Sequence, residues 1–165
     1  MKGVTAIALL FVLFGASCNR SNFKPEPVVA PIEFVDLSGT RRLLPTPGRV
    51  TVVNFWATWC GPCVGEMPHL QKLSQEFDSQ GVVFVGVSTD FLDAQEVEDF
   101  LGRLGISYPV TMDDESIEPA LGPLLGLPTT VVIDANGSEF RRITGAASAS
   151  ELRSIVQAAL SKRAT

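Results

Sequence analysis

Apolar and polar positions change their spacing several times along this chain, and each change marks an element. Residues 50–56 (Val-Thr-Val-Val-Asn-Phe-Trp) and 82–87 (Val-Val-Phe-Val-Gly-Val) are near-continuous apolar runs. Both lack the alternation of a half-wetted strand, so both predict strands buried on two faces. Residues 32–37 predict a further strand, Ser38-Gly39 a turn, and residues 41–44 a segment able to pair back. Pro45-Thr46-Pro47-Gly48 is a loop. Helix signals begin near Cys60 and run to about Gln80, where Gly81 stops them. Val97, Phe100, Leu101 and Leu104 fall at helical spacing ahead of Gly105. Residues 108–112 predict a short strand, 116–121 a short helix and 129–133 a strand. Asn136-Gly137 then turns the chain into a hairpin strand over 139–143. Ser148 and Glu151 make a capping box, and Leu152, Ile155, Val156, Ala159 and Leu160 form the apolar stripe of a last helix. Strands alternating with helices and closing in a hairpin predict an α/β sheet, mostly parallel, with an antiparallel edge.

The first 31 residues follow different rules. Met1-Lys2-Gly3 is a positively charged start, residues 4–14 are almost wholly apolar, and Gly15-Ala16-Ser17 are small. That three-part pattern predicts an export signal peptide over residues 1–17. The apolar run is shorter than the roughly 20 residues a spanning helix needs. Gly15-Ala16-Ser17-Cys18 resembles a bacterial lipobox, which implies cleavage before Cys18, lipid on its thiol and a membrane-anchored protein in the periplasm or cell envelope. Gly15 stands where that motif usually carries Leu, and ordinary cleavage nearby, leaving a soluble exported chain, is the alternative. Residues 18–31 contain Pro25, Pro27 and Pro31 and predict an extended tether. The folded domain is expected over residues 32–165.

Composition narrows the function. A chain of 165 residues that is 45% hydrophobic can build one domain around a real core. Its net charge of -5 repels phosphate backbones, so nucleic acid is not an expected partner. Three cysteines are too few for a disulfide framework or a four-cysteine zinc site. Cys60 and Cys63 instead lie three apart in Trp59-Cys60-Gly61-Pro62-Cys63, where a strand ends and a helix begins. Cysteines at that spacing share one helix face and can close a small disulfide ring. The free amides and positive dipole end of the helix favour a thiolate at the first of them. Pro62 falls in the first turn, where its missing amide costs nothing. Trp56 and Trp59 are expected to shield the pair from water. Cys60 would attack a disulfide as thiolate, and Cys63 would resolve the mixed disulfide. Other readings of the same residues are a disulfide-forming oxidant or isomerase, a copper chaperone using Cys60, Cys63, Met67 or His69, and a peroxidase, against which Thr58 counts because it stands two residues before Cys60, out of the register such enzymes use. No metal and no organic cofactor is expected, because the cysteine pair carries the electrons itself.

Asn54-Phe55-Trp56-Ala57-Thr58-Trp59-Cys60-Gly61-Pro62-Cys63, Glu66-Met67-Pro68, Gly126-Leu127-Pro128-Thr129-Thr130, Ile133-Asp134 and Gly137 together resemble the TlpA/ResA group. These are membrane-tethered bacterial reductases of thioredoxin-like fold. The resemblance spans about residues 32–162 and implies a central mixed sheet flanked by helices, an N-terminal strand extension and an extra helix–strand insert within about residues 90–125. It implies a thiol–disulfide oxidoreductase that reduces disulfides of exported proteins, in cytochrome c maturation by analogy, and that draws electrons from a membrane thiol donor. It further implies active-site support from Trp59, Gly61, Pro62, Glu66, Leu127 and Pro128. The Leu127–Pro128 bond would be cis, with the Leu127 backbone aligning substrate strand to strand. Thioredoxins usually carry a buried aspartate at the position of Asn54, which cannot titrate. Glu66 is expected either to tune the thiols and touch substrate or to be a solvated helix glutamate.

Overall fold

A computed structural model of the chain describes residues 29–113 and 116–162. The segment expected to be a signal peptide, Cys18 and nearly all of the expected tether lie outside the described residues. The elements in chain order are strands β1 (Ile32–Val35), β2 (Arg41–Leu44) and β3 (Thr51–Trp56), helix α1 (Gly61–Phe77), strand β4 (Val83–Ser88), helix α2 (Ala94–Leu104), strand β5 (Val110–Met112), helix α3 (Ile117–Leu121), strands β6 (Thr129–Ile133) and β7 (Glu139–Thr144), and helix α4 (Ala149–Lys162). A single 3-10 turn, Asp78–Gln80, extends α1 as far as Gly81, which takes the left-handed conformation that ends the helix.

The main sheet has the order β5-β4-β3-β6-β7, and β1 with β2 forms a separate hairpin. β3 pairs parallel with β4 but antiparallel with β6, and β7 pairs antiparallel with β6. The antiparallel part is therefore half of the sheet, more than an edge. The cause is that the chain enters β6 at the end where β3 and β4 finish, with Thr129 facing Phe55, so β6 runs back along β3 before residues 134–138 turn it directly into β7. Asp134 Oδ1 accepts from the amides of Asn136 and Ser138, and Gly137 takes a φ of 82° that a larger side chain would resist.

β3 reads as one apolar run because both of its faces are covered. Val50, Val52 and Trp56 pack with Met67, Leu70, Leu73 and Phe77 of α1, Val97 and Leu101 of α2, and Leu152, Val156 and Ala159 of α4. Val53 and Phe55 point the other way, joining Ile117 and Leu121 of α3 and Phe34 and Leu44 of the hairpin. This is the period-two alternation of a strand, with apolar residues on both sides. The hairpin also covers the β5 end of the sheet, where Leu37 N donates to Val110 O and Thr111 Oγ1 donates to Val35 O.

α2 starts on a capping box that the apolar spacing alone did not reveal. Asp93 accepts from the amide of Glu96, and Glu96 accepts from the amide of Asp93. At α4, Ser148 Oγ accepts from the amide of Glu151 at 3.2 Å.

Candidate active site

Three loops leave the main sheet at one end. Trp56, the last residue of β3, pairs with Ser88, the last of β4, while Phe55 pairs with Thr129, the first of β6. The β3–α1 loop, the β4–α2 loop and the segment entering β6 are therefore neighbours. The first carries Cys60, the second Asp90 to Leu92, and the third Leu127–Pro128.

Cys60 and Cys63 are joined as a disulfide, with their Cα atoms 5.2 Å apart. Cys60 is the N-cap of α1, its backbone extended, and its sulfur accepts from the amide of Cys63 at 3.3 Å. Gly61 and Pro62 form the first turn, which contains no acidic residue to oppose a thiolate. Cys60 is 6% exposed and Cys63 1%, so both are buried and the first is the more accessible residue of the two.

The loop before Cys60 is clamped. Asp90 Oδ2 accepts from the amide of Thr58 at 2.8 Å and from Ser88 Oγ at 2.9 Å, while its Oδ1 accepts from Thr58 Oγ1 at 2.6 Å. Thr89 N donates to Trp56 O at 2.9 Å alongside. Thr58 is thus committed to holding the loop. Sequence spacing missed this clamp, whose one visible signal is the Ser-x-Asp just after a buried strand.

Trp56 is fully buried, but Trp59 is 63% exposed, so the expected shielding by both indoles is corrected. Trp56 alone lies in the core with the pair, because β3 points it inward, while Trp59 sits on the turn beyond the strand and faces outward. Glu66 is not a solvated helix residue. It lies one turn beyond Cys63 on the same side of α1, 3% exposed, and its Oε1 accepts from the amide of Ala147 at 3.2 Å. Burial pushes its carboxyl up to about 7, with the Ala147 amide working against that shift and Glu151 adding to it. Tyr108 is buried in the electrostatic reach of Glu66, and burial drives its phenol well above the usual range. Asn54 is buried in the middle of β3 and donates through Nδ2 to Thr130 Oγ1 at 2.9 Å.

The Leu127–Pro128 peptide bond is cis. Pro128 is buried at the start of β6, and Leu127 packs against the core cluster that contains both cysteines. Gly145 N donates to Pro128 O at 2.8 Å, tying this segment to the end of β7. Met67 is in the core while His69 is exposed, so the two soft ligands considered for copper face opposite ways. Among the described residues no group of three His, Cys, Asp or Glu side chains is placed to hold a metal ion, and no helix is long and apolar enough to cross a membrane.

A family model described as Redoxin matches residues 40–160. The chain is 34% identical over 152 residues to thiol-disulfide oxidoreductase ResA of Geobacillus thermodenitrificans, covering 86% of this chain and 85% of that one. Among solved structures it is similar to a thiol:disulfide interchange protein of the thioredoxin family from Chlorobium tepidum, with a TM-score of 0.75, 30% identity, and 82% and 97% of the two chains covered. It is also similar to a secreted Mycobacterium tuberculosis disulfide oxidoreductase, with a TM-score of 0.66, 26% identity, and 77% and 95% covered.

Proposed function

Because the chain belongs to the redoxin family, among its ResA-like thiol–disulfide oxidoreductases of thioredoxin fold, we propose that Cys60 and Cys63 are its working thiols and that it reduces disulfides in exported proteins. The observation that carries this is the Cys60–Cys63 disulfide at the N-terminus of α1, with the more exposed residue of the two at the cap. In the reduced protein, Cys60 as thiolate attacks one sulfur of a substrate disulfide and expels the other as thiolate. Cys63 then attacks Cys60, the mixed disulfide breaks, and the substrate leaves with two electrons gained. The cis Leu127–Pro128 segment at the same end of the sheet offers backbone to an extended substrate strand. Glu66, buried beside Cys63 with a carboxyl that titrates near neutrality, opposes a second negative charge there and tunes the thiols. Trp59, Gly61 and Pro62 complete the support around the pair.

An exported location is supported by the signal pattern of residues 1–17 and by the secreted relative. Lipid on Cys18 would hold the domain at a membrane, and a membrane thiol donor would recharge the pair. Palmitate labelling that disappears in Cys18→Ala supports the anchor, and label independent of Cys18 removes it.

The main test is kinetic. Cys60→Ser is expected to abolish reduction of a protein disulfide, and Cys63→Ser to accumulate a covalent complex with the substrate that dithiothreitol releases. A Cys60→Ser protein with wild-type turnover would overturn the assignment. The competing direction, disulfide formation, is separated by the potential of the pair. A value near or below about -270 mV marks a reductant, and one near about -120 mV an oxidant.

A further inference from the structure

Six large apolar side chains are exposed among the described residues, and four of them sit on the three loops at the disulfide end of the sheet. Trp59 is 63% exposed, Phe91 96%, Leu92 40% and Leu125 82%. Phe91 and Trp59 each follow one partner of the Asp90–Thr58 clamp, so the hydrogen bonds that fix the Cys60 loop also fix Phe91 beside it. The three loops themselves carry almost no charge. Residues 55–65 and 119–133 contain no charged side chain, and Asp90, the one acid in residues 88–92, is spent on the clamp. Charge resumes just beyond. α2 starts at this end with exposed Asp93, Glu96, Glu98 and Asp99, and its first cation is Arg103 in the last turn.

Resting on the reading that Cys60 is the attacking thiol, we infer that the β4–α2 loop, led by Phe91, selects the protein substrate. The occupant it fits is a cysteine-bearing segment with an apolar side chain beside the cysteine and basic residues a few positions further on. Cys60 is almost covered and lies on one of these three loops, so a disulfide that reaches it meets their exposed apolar side chains. A phenylalanine left almost wholly in water gains most from contact with an apolar partner. The acidic start of α2 then attracts basic residues and repels acidic ones. A small anionic thiol such as a glutamate-containing tripeptide finds no cation on these loops. Cis-proline backbone pairing reads no side chain, so it cannot supply this selection.

The experiment uses dithiothreitol-reduced protein, freed of reductant, in single turnover. The main probe is a short peptide with one cysteine between phenylalanine and leucine, two lysines beyond, and its thiol capped as a disulfide with nitrothiobenzoate. Cys60 attacks the peptide sulfur, nitrothiobenzoate leaves as the coloured thiolate, and Cys63 then displaces the peptide thiolate. A sister peptide carries serines for phenylalanine and leucine, and a third carries glutamates for the lysines. Bis(hydroxyethyl) disulfide reports access to Cys60 with no side chain to select. Wild type is expected to prefer the first peptide over both others. In Phe91→Ser the ratio of its rate to that of the serine sister should fall about tenfold, through a higher half-saturating concentration. Glu98→Gln with Asp99→Asn, which leaves the Asp93–Glu96 cap intact, should weaken the preference for lysine over glutamate at low salt. Equal ratios in wild type and Phe91→Ser would overturn the inference, as would a preference for the glutamate peptide. If wild type fails to reduce bis(hydroxyethyl) disulfide, the reading of Cys60 and Cys63 fails instead.

Discussion

Glu66 is the residue whose surroundings depart furthest from its chemistry, since a carboxyl group ordinarily ionised at neutral pH is packed where water does not reach. Its carboxyl binds a proton more tightly in the folded chain, where it titrates at about 7, than in the unfolded chain, at 4.5. The sign follows from linkage: this group's contribution to stability is fully present below about 4.5 and is lost as the pH rises through about 7. Glu66→Gln removes that loss, so it is expected to stabilise the oxidised protein by about 1–3 kcal/mol near pH 8 and to change it little near pH 4. Urea unfolding at the two values measures it, and an equal effect at both would show that ionisation is not the cause. The amide of Ala147 moderates the effect because it donates to Glu66 Oε1 and favours the charged form. The same variant bears on chemistry. If Glu66 opposes ionisation of the thiols, Glu66→Gln lowers the pKa of Cys60 in the reduced protein, which iodoacetamide alkylation rates against pH would show.

Among the elements, the β3–α1 and β4–α2 loops act as one piece because Asp90 joins them. Thr58→Val keeps the shape of the side chain but removes the hydroxyl donor, leaving one oxygen of a half-buried carboxylate short of a partner. The expected cost is about 1–3 kcal/mol of stability, restored by Thr58→Ser, as measured by urea midpoints. A Thr58→Val protein as stable as wild type would mean that the backbone amide alone holds the loop. The clamp also shows what the sequence could and could not tell. Buried strands, helix stops at Gly81 and Gly105, and the cysteine pair at a helix start were all legible, because each depends on local spacing or on one residue's conformational preference. Asp90 was not, because its partners Thr58 and Ser88 come together only when β3 and β4 pair. The burial of Glu66 was open for a similar reason. It rests on α1 together with the segment before α4, 81 residues further along the chain. The outward face of Trp59 was misjudged because aromatic character suggests burial, whereas the end of the strand decides which way the side chain points.

At the scale of the whole molecule, folding and redox state belong to one thermodynamic cycle. The Cys60–Cys63 pair has one potential in the folded chain and another in the unfolded chain. Their difference equals the difference in folding free energy between oxidised and reduced protein, about 1.4 kcal/mol for each 30 mV. Two features of the fold pull in opposite directions. The amides at the start of α1 stabilise a Cys60 thiolate and so favour the dithiol. Burial of both sulfurs next to a carboxyl that is partly ionised at neutral pH disfavours a thiolate and so favours the disulfide. A reductant requires the second to win, which makes the oxidised chain the more stable one. The expectation is a gap of at least about 1.4 kcal/mol near pH 7, read from urea unfolding of the oxidised and the dithiothreitol-reduced protein. Glu66→Gln should narrow that gap, since only the reduced state is relieved of repulsion between carboxylate and thiolate. An inverted gap, with the reduced chain more stable, would make the protein a disulfide-forming oxidant. The sheet, the cis proline and the helix start serve either direction, so the sign of this one difference decides which way electrons run.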